Sequence, residues 1–163
     1  NNNNNCFSYE KKIRKSLIKH KIHYSLFFYG TLRSLEVRKA VIGESSDHHN
    51  TSSGDLFKHK VYRVKNANYP LIKFTNNEVD VVRGLLINNI TFEELIKLDR
   101  FEGKNYFRQF VKVNIDKIDH DAQIYMPSKN MVSEEPWNYE DWYKNDMKNF
   151  FLNEFDLNGV KEV

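Results

Sequence analysis

The sequence predicts an α+β fold, a small mixed β-barrel with flanking helices. Three observations carry that reading. About six short runs of β-branched and aromatic residues recur along the chain, separated by turn-forming residues. The segment between Thr91 and Gly103 carries both a helix start and a helix stop. An aromatic, helix-compatible stretch follows near the C-terminal end. Strands mixed with a few helices pack as a sheet or barrel with helices laid against it. The chain has 163 residues, and Leu, Ile, Val and Phe supply 47 of them. That share, 29%, lies above the ~20% below which chains stay disordered. A chain of this length buries roughly 70% of its unfolded surface.

Taken in order, Asn1–Asn5 is a low-complexity run expected to be disordered. Residues 9–21 suit a short helix, with Ile13, Leu17, Ile18 and Ile22 roughly on one side. The first strand spans 24–29 and is closed by Gly30. Residues 32–42 fit a helix or an irregular loop ended by Gly43, and the polar stretch 44–54 reads as a loop. Strands are expected at 55–64, 71–74 and 79–87, with Asn76-Asn77 turning between the last two. Thr91 is a natural N-cap, and Glu94 three residues later completes a capping box. Phe92, Leu95, Ile96 and Phe101 fall mostly on one face of that helix, and Gly103 stops it. A long strand at 106–115 pairs with 122–126 across the polar connection 116–121. The tail 139–155 offers Trp142, Met147, Phe150 and Phe151 for packing. The expected organisation is a disordered, basic extension over 1–23 and a single domain over 24–163.

Charge placement says more than net charge. The chain carries 25 basic and 22 acidic residues, a net of +3. Six of the basic residues lie between Glu10 and His23, beside one acid. The rest holds nineteen basic and twenty-one acidic residues, a net of −2. A mildly acidic body does not look like a nucleic-acid surface, so no nucleic-acid partner is expected. The basic run reads as a solvated extension. No stretch approaches the ~18 apolar residues of a membrane helix, and no membrane partner is expected. The apolar run 26–29 is too short for a signal-peptide core. Cys6 is the only cysteine, so no intrachain disulfide forms and a cytoplasmic location is the default.

Many familiar sites are missing. No phosphate-binding glycine motif and no Gly-x-Ser-x-Gly elbow occurs. Asp47-His48-His49 with His59, and Asp119-His120-Asp121, lack the spacing of known metal ligand sets and read as solvated loops. No metal and no cofactor is expected. Two features remain. Tyr29-Gly30-Thr31-Leu32 follows the first strand, and a glycine there lets successive N–H groups face a common point, as in an anion-binding nest. Glu102 sits between Phe101 and Gly103 at a helix end. Burial and the negative helix end both raise a carboxyl pKa there, toward the range of a general base at neutral pH. Taken singly, each feature is common, and a surface glutamate is the simpler reading of the second.

Their order along the chain is more specific. Phe28-Tyr29-Gly30-Thr31-Leu32-Arg33 comes first, then Tyr69-Pro70-Leu71-Ile72, then Val82-Arg83-Gly84. Leu98-Asp99-Arg100-Phe101-Glu102-Gly103 follows with Tyr106 and Arg108, and Ile124-Tyr125 and Pro136-Trp137 close the series. This series resembles the gamma-glutamylcyclotransferase-like family, nearest the gamma-glutamylamine cyclotransferase and avirulence-induced branch. It covers residues 25–137. The resemblance implies a small mixed β-barrel with flanking helices. It also implies an enzyme that converts a γ-glutamyl small molecule into 5-oxoproline and a free amine without metal or cofactor. On the matching motifs, Tyr29, Gly30, Thr31 and Leu32 hold the glutamyl moiety, Glu102 is catalytic and Tyr125 faces substrate. One departure is visible: Leu85 and Ile87 stand where the family has an acid and an aromatic. That bears on wall packing and substrate choice.

The implied chemistry agrees with the residues. The α-amine of the substrate attacks its own γ-carbonyl, so both reacting groups lie in one molecule. One carboxylate takes the ammonium proton and returns it to the departing amine. The alternative is a catalytically silent ligand-binding or regulatory module on the same fold, which has no need of a base.

Overall fold

The computed structural model describes residues 8–15, 22–128 and 131–160. The low-complexity run at 1–5, and Leu17 and Ile18 of the expected first helix, lie outside them. Residues 8–15 form a helix, α1, with every residue exposed. The strands are β1 (His23–Phe28), β2 (Thr51–Phe57), β3 (His59–Val64), β4 (Pro70–Phe74), β5 (Val81–Thr91), β6 (Tyr106–Ile115), β7 (Ile118–Pro127) and β8 (Ser133–Pro136). The further helices are α2 (Leu35–Ile42), α3 (Phe92–Glu102), α4 (Tyr139–Asp141) and α5 (Met147–Asn153), with a π-turn at Trp142–Asp146 joining the last two.

β1, β5, β2, β6 and β7 form a closed barrel, and β4, β3 and β8 a separate three-stranded sheet. Barrel neighbours are antiparallel except at the seam, where Leu26 of β1 meets Gln123 of β7 in parallel. All five barrel strands send side chains to one interior cluster, including Phe27, Leu56, Leu86, Val113 and Ile124. A second cluster lies between the barrel and the helices and contains Leu26, Phe28, Ile90, Leu95, Leu98, Phe101, Trp142 and Phe150. Successive residues of β1 alternate between the two, as strand geometry requires. Both faces of β1 are therefore buried, and its exit at Tyr29 is firmly placed. Among the described residues no helix is long and apolar enough to cross a membrane.

The structure corrects several expectations. The strand expected at 55–64 is broken at Lys58, whose φ is 66°. Its N–H donates to Asp80 O and its C=O accepts from Thr75 N, both at 2.7 Å. That one left-handed residue sends β2 to the barrel and β3 to the other sheet. The strands flanking Asn76-Asn77 likewise belong to different sheets, so the turn between them makes no hairpin. The polar stretch at 44–54 is not a loop throughout. It holds a 3₁₀ turn at Gly43–His48 and the start of β2. The connection expected at 116–121 shrinks to a two-residue turn, Asp116 and Lys117, both at positive φ.

Helix α3 carries the capping box: Thr91 Oγ1 accepts from Glu94 N at 3.2 Å, and Glu94 Oε1 accepts from Thr91 N at 2.9 Å. Its buried face is Glu94, Leu95, Leu98 and Phe101, while Ile96 is 42% exposed. His49, expected in a solvated loop, is part-buried, its imidazole almost wholly out of solvent with Nε2 2.8 Å from the Glu94 carboxylate. Burial alone would raise the Glu94 pKa, but hydrogen bonds from His49, Thr91 and Ser45 hold it at about 2. The pair ties the Gly43–His48 turn to α3. Among the described residues no group of three or more His, Cys, Asp or Glu is arranged to hold a metal. The tail is stapled to the β3–β4 connection. Trp142 Nε1 donates to Asn68 O at 2.6 Å, and the buried Glu154 accepts from Asn68 N at 2.8 Å.

Candidate active site

β1 ends at Phe28, and the chain turns at once. Arg33 N donates to Gly30 O at 3.0 Å, closing a single 3₁₀ turn over Thr31–Arg33. The N–H groups of Thr31 and Leu32 precede that first bond, so the turn gives them no partner. Gly30 has φ −113°, not a left-handed value. The reason for glycine is therefore not the conformational one expected from sequence. A Cβ there would stand 2.9 Å from Pro70 Cγ, so the position needs the absence of a side chain.

α3 ends at Glu102, where Gly103 adopts φ 73°. The helix thereby delivers Glu102 to the mouth of the same turn. One cavity is lined by Tyr29, Gly30, Thr31, Leu32, Glu102 and Tyr125, every site residue expected from sequence. Tyr69, Pro70, Phe101, Tyr106 and Val160 complete much of its wall. The space open to the centres of water-sized molecules is ≈ 30 Å³. One water needs roughly 10–15 Å³ on that measure, so the pocket is narrow.

Burial pushes the Glu102 carboxyl up to about 8, and the Asp99 carboxylate adds to the shift. The direction matches the expectation; the second cause is Asp99, one turn back along α3, and not the helix end. Three tyrosine hydroxyls stand around this carboxyl. Tyr29 donates to Tyr125 O at 2.7 Å, Tyr106 to Pro70 O at 2.8 Å, and Tyr125 to Asp99 Oδ1 at 2.7 Å. Burial raises the pKa of all three, so each keeps its proton at neutral pH. Each proton is committed to a protein acceptor, which leaves the oxygen lone pairs for other donors. Asp99 is itself held by Arg108 Nε at 2.9 Å, and Arg108 donates again to Gln123 Oε1 at 2.7 Å.

A family described as gamma-glutamyl cyclotransferase, AIG2-like, matches residues 26–144. This chain belongs to that family. Among curated proteins it is similar to AIG2-like protein C of Arabidopsis thaliana, 28% identical over 134 residues, which covers 80% of this chain and 75% of the relative. The fold is similar to two solution structures of Arabidopsis thaliana proteins. At5g39720.1 has a TM-score of 0.58 at 24% identity, covering 81% of this chain and 89% of that one. At3g28950.1 has a TM-score of 0.59 at 22% identity, covering 80% and 79%. At these identities the likeness speaks to the fold: a five-stranded barrel with flanking helices.

Within this member of the cyclotransferase family, the sequence motifs left several pocket residues without a role. Asp99, Tyr106 and Arg108 belong to the quoted series, but only the structure shows that Asp99, itself held by Arg108, accepts from Tyr125 and that Tyr106 walls the pocket. Pro70 explains Gly30. Val160 had no signal at all; it reaches the pocket because the tail folds back. Phe155 packs on Phe101 with ring centroids 5.6 Å apart, and Gly159 Cα lies 3.1 Å from where a Gly103 Cβ would stand.

Proposed function

We propose that the protein is a γ-glutamyl cyclotransferase, with Glu102 as general base and acid and the Gly30–Leu32 turn as the seat of the glutamyl carboxylate. The observation that carries this reading is the meeting, in one narrow pocket, of a carboxyl raised to about 8 and a 3₁₀ turn whose first N–H groups are not used by the turn itself. The substrate's α-carboxylate accepts from the Thr31 and Leu32 N–H groups, which fixes one end. Its α-ammonium lies near Glu102, where its positive charge favours the ionised carboxylate. The lone pairs of Tyr125 and Tyr29 supply acceptors for the same ammonium.

Glu102 removes a proton, and the α-nitrogen forms a bond to the γ-carbonyl carbon. The α-nitrogen loses a second proton as the bond from that carbon to the amine nitrogen breaks, and Glu102 relays the two protons in turn to the departing amine, which leaves as an ammonium. The products are 5-oxoproline and a free amine, and Glu102 ends as it began. Folding the substrate into its curled form supplies the proximity that makes the attack efficient.

The test is release of 5-oxoproline from a panel of γ-glutamyl amines and γ-glutamyl amino acids by the parent protein and by Glu102→Gln. Release that depends on Glu102 supports the reading. Binding of 5-oxoproline with no turnover of any panel member sinks it, in favour of a silent ligand-binding module.

A further inference from the structure

One wall of the pocket comes from the far end of the chain. After α5 the backbone turns at Glu154 and runs back to the end of α3 as a strap, residues 154–160. Of these residues Val160 alone lines the pocket. None of them falls within residues 26–144, over which the chain matches its family.

Three contacts latch the strap to elements that shape the site. The buried Glu154 carboxylate accepts from Asn68 N at 2.8 Å through Oε1 and 3.1 Å through Oε2, and from Asn68 Nδ2 at 3.2 Å. Asn68 directly precedes Tyr69 and Pro70, which wall the pocket. Phe155 lies on Phe101, the residue before Glu102, with ring centroids 5.6 Å apart. Gly159 meets Gly103, the residue after Glu102. A Cβ on Gly103 would stand 3.1 Å from Gly159 Cα, and one on Gly159 would stand 3.5 Å from Gly103 Cα. Both have positive φ, 73° at Gly103 and 122° at Gly159, so the close approach suits glycine at each position. Gly159 N donates to Asp156 O at 3.2 Å and Asn158 N to Asp156 Oδ1 at 2.8 Å, which closes the turn that presents Val160. The strap thus grips the residues on either side of Glu102. It sets an apolar side chain against the same ≈ 30 Å³ of open space.

We propose that Val160 is a positioning residue for the reaction: the strap seals the pocket with it, keeping bulk water off Glu102 and holding that carboxyl at the glutamyl turn. The inference rests on the cyclotransferase reading and adds to it a residue that takes no part in the bond changes. Among the groups that act on Glu102, Asp99, paired with Arg108, carries charge. Tyr29, Tyr106 and Tyr125 keep their protons. Val160→Ala leaves all of these in place, so what it changes is the access of water, which favours the ionised carboxylate.

The test reads Glu102 directly, in the protein without substrate. Carbon-13 labelling of the glutamate carboxyls follows its titration by NMR, with Glu102→Gln to assign the signal. Val160→Ala should titrate lower than the parent by about one pH unit, a roughly tenfold change in proton affinity, with the far-UV circular dichroism kept. Val160→Thr has nearly the same shape and should shift the titration the same way through its hydroxyl, which covers the case in which the smaller side chain loosens the fold. Val160→Ile keeps an apolar wall and should titrate with the parent. The acid limb of 5-oxoproline release from the γ-glutamyl panel should move with the titration. A merely structural role would lower the melting temperature and leave the titration where it was. An unmoved titration in both folded variants, Val160→Ala and Val160→Thr, overturns the seal, and with 5-oxoproline still released it leaves the cyclotransferase standing. An equal shift in Val160→Ile also overturns the seal. A titration shifted as expected, with no 5-oxoproline released from any compound by the parent, overturns the cyclotransferase and keeps the seal.

Discussion

Glu102 ionises near 4.5 in the unfolded chain and near 8 in the folded one. The folded state therefore binds more protons between those values, and stability falls as pH rises from about 4.5 to about 8. Removing the charge removes that loss. Glu102→Gln should be more stable than the parent at pH 8, by an amount on the order of 2–4 kcal/mol, and so melt at a higher temperature, and the two should converge toward pH 4. Calorimetric melts across pH check this; equal melting temperatures at pH 8 would mean the carboxyl is not buried as described. The same change should cost on the order of 10²–10⁴ in turnover, since the proton acceptor is gone. A site that destabilises the fold and is indispensable for rate is the signature of a base held there for its chemistry. Asp99 supplies a finer test. Its carboxylate adds to the Glu102 shift and receives the Tyr125 proton. Asp99→Asn should lower the Glu102 pKa and move the acid limb of the kcat/KM profile to lower pH. A merely structural role for Asp99 would reduce the amount of folded enzyme and leave the position of that limb unchanged.

The element that seats the substrate is the turn leaving β1, and its geometry depends on β4. Pro70 opens β4 and lies against Gly30, and the ring cannot swing away as the end of a flexible side chain would. Gly30→Val should therefore push the turn off Pro70, at a cost of about 1–3 kcal/mol for the overpacking. Affinity for 5-oxoproline should drop by about tenfold or more while far-UV circular dichroism keeps the barrel signal. Unchanged affinity in the folded variant would remove the turn from the binding site. Legibility from sequence follows the same division. Strands with turn residues at their ends and the capped helix α3 could be read because local chemistry fixes them. The break at Lys58 could not, because Phe57-Lys58-His59 contains neither glycine nor proline and only pairing to two different sheets imposes it. His49 was misread for a related reason: a polar stretch looks solvated until Glu94 arrives from α3 to bury it. The pocket motifs were legible as an ordered series, but the reason for Gly30 lay forty residues away at Pro70.

For the whole molecule, the question is whether the basic N-terminal segment takes part. The residues that line the pocket run from Phe27 to Val160, and none of the described residues of α1 is among them. Every residue of α1 is exposed, Ile13 included at 42%, so the described part of that helix adds no packing to the barrel. Deleting residues 1–21 removes six basic residues and one acid, which takes the formal charge from +3 to −2. The isoelectric point should fall from its present value of ≈ 8.8. Long-range attraction of an anionic substrate toward the segment is screened over roughly 8 Å at physiological salt. The rate per folded molecule should therefore stay within about a factor of two. A lower melting temperature with a normal rate in the cold would mean that the segment packs on the barrel through residues other than α1. A truncated protein that remains folded yet loses activity would contradict this account. It would mean that the segment closes over the pocket.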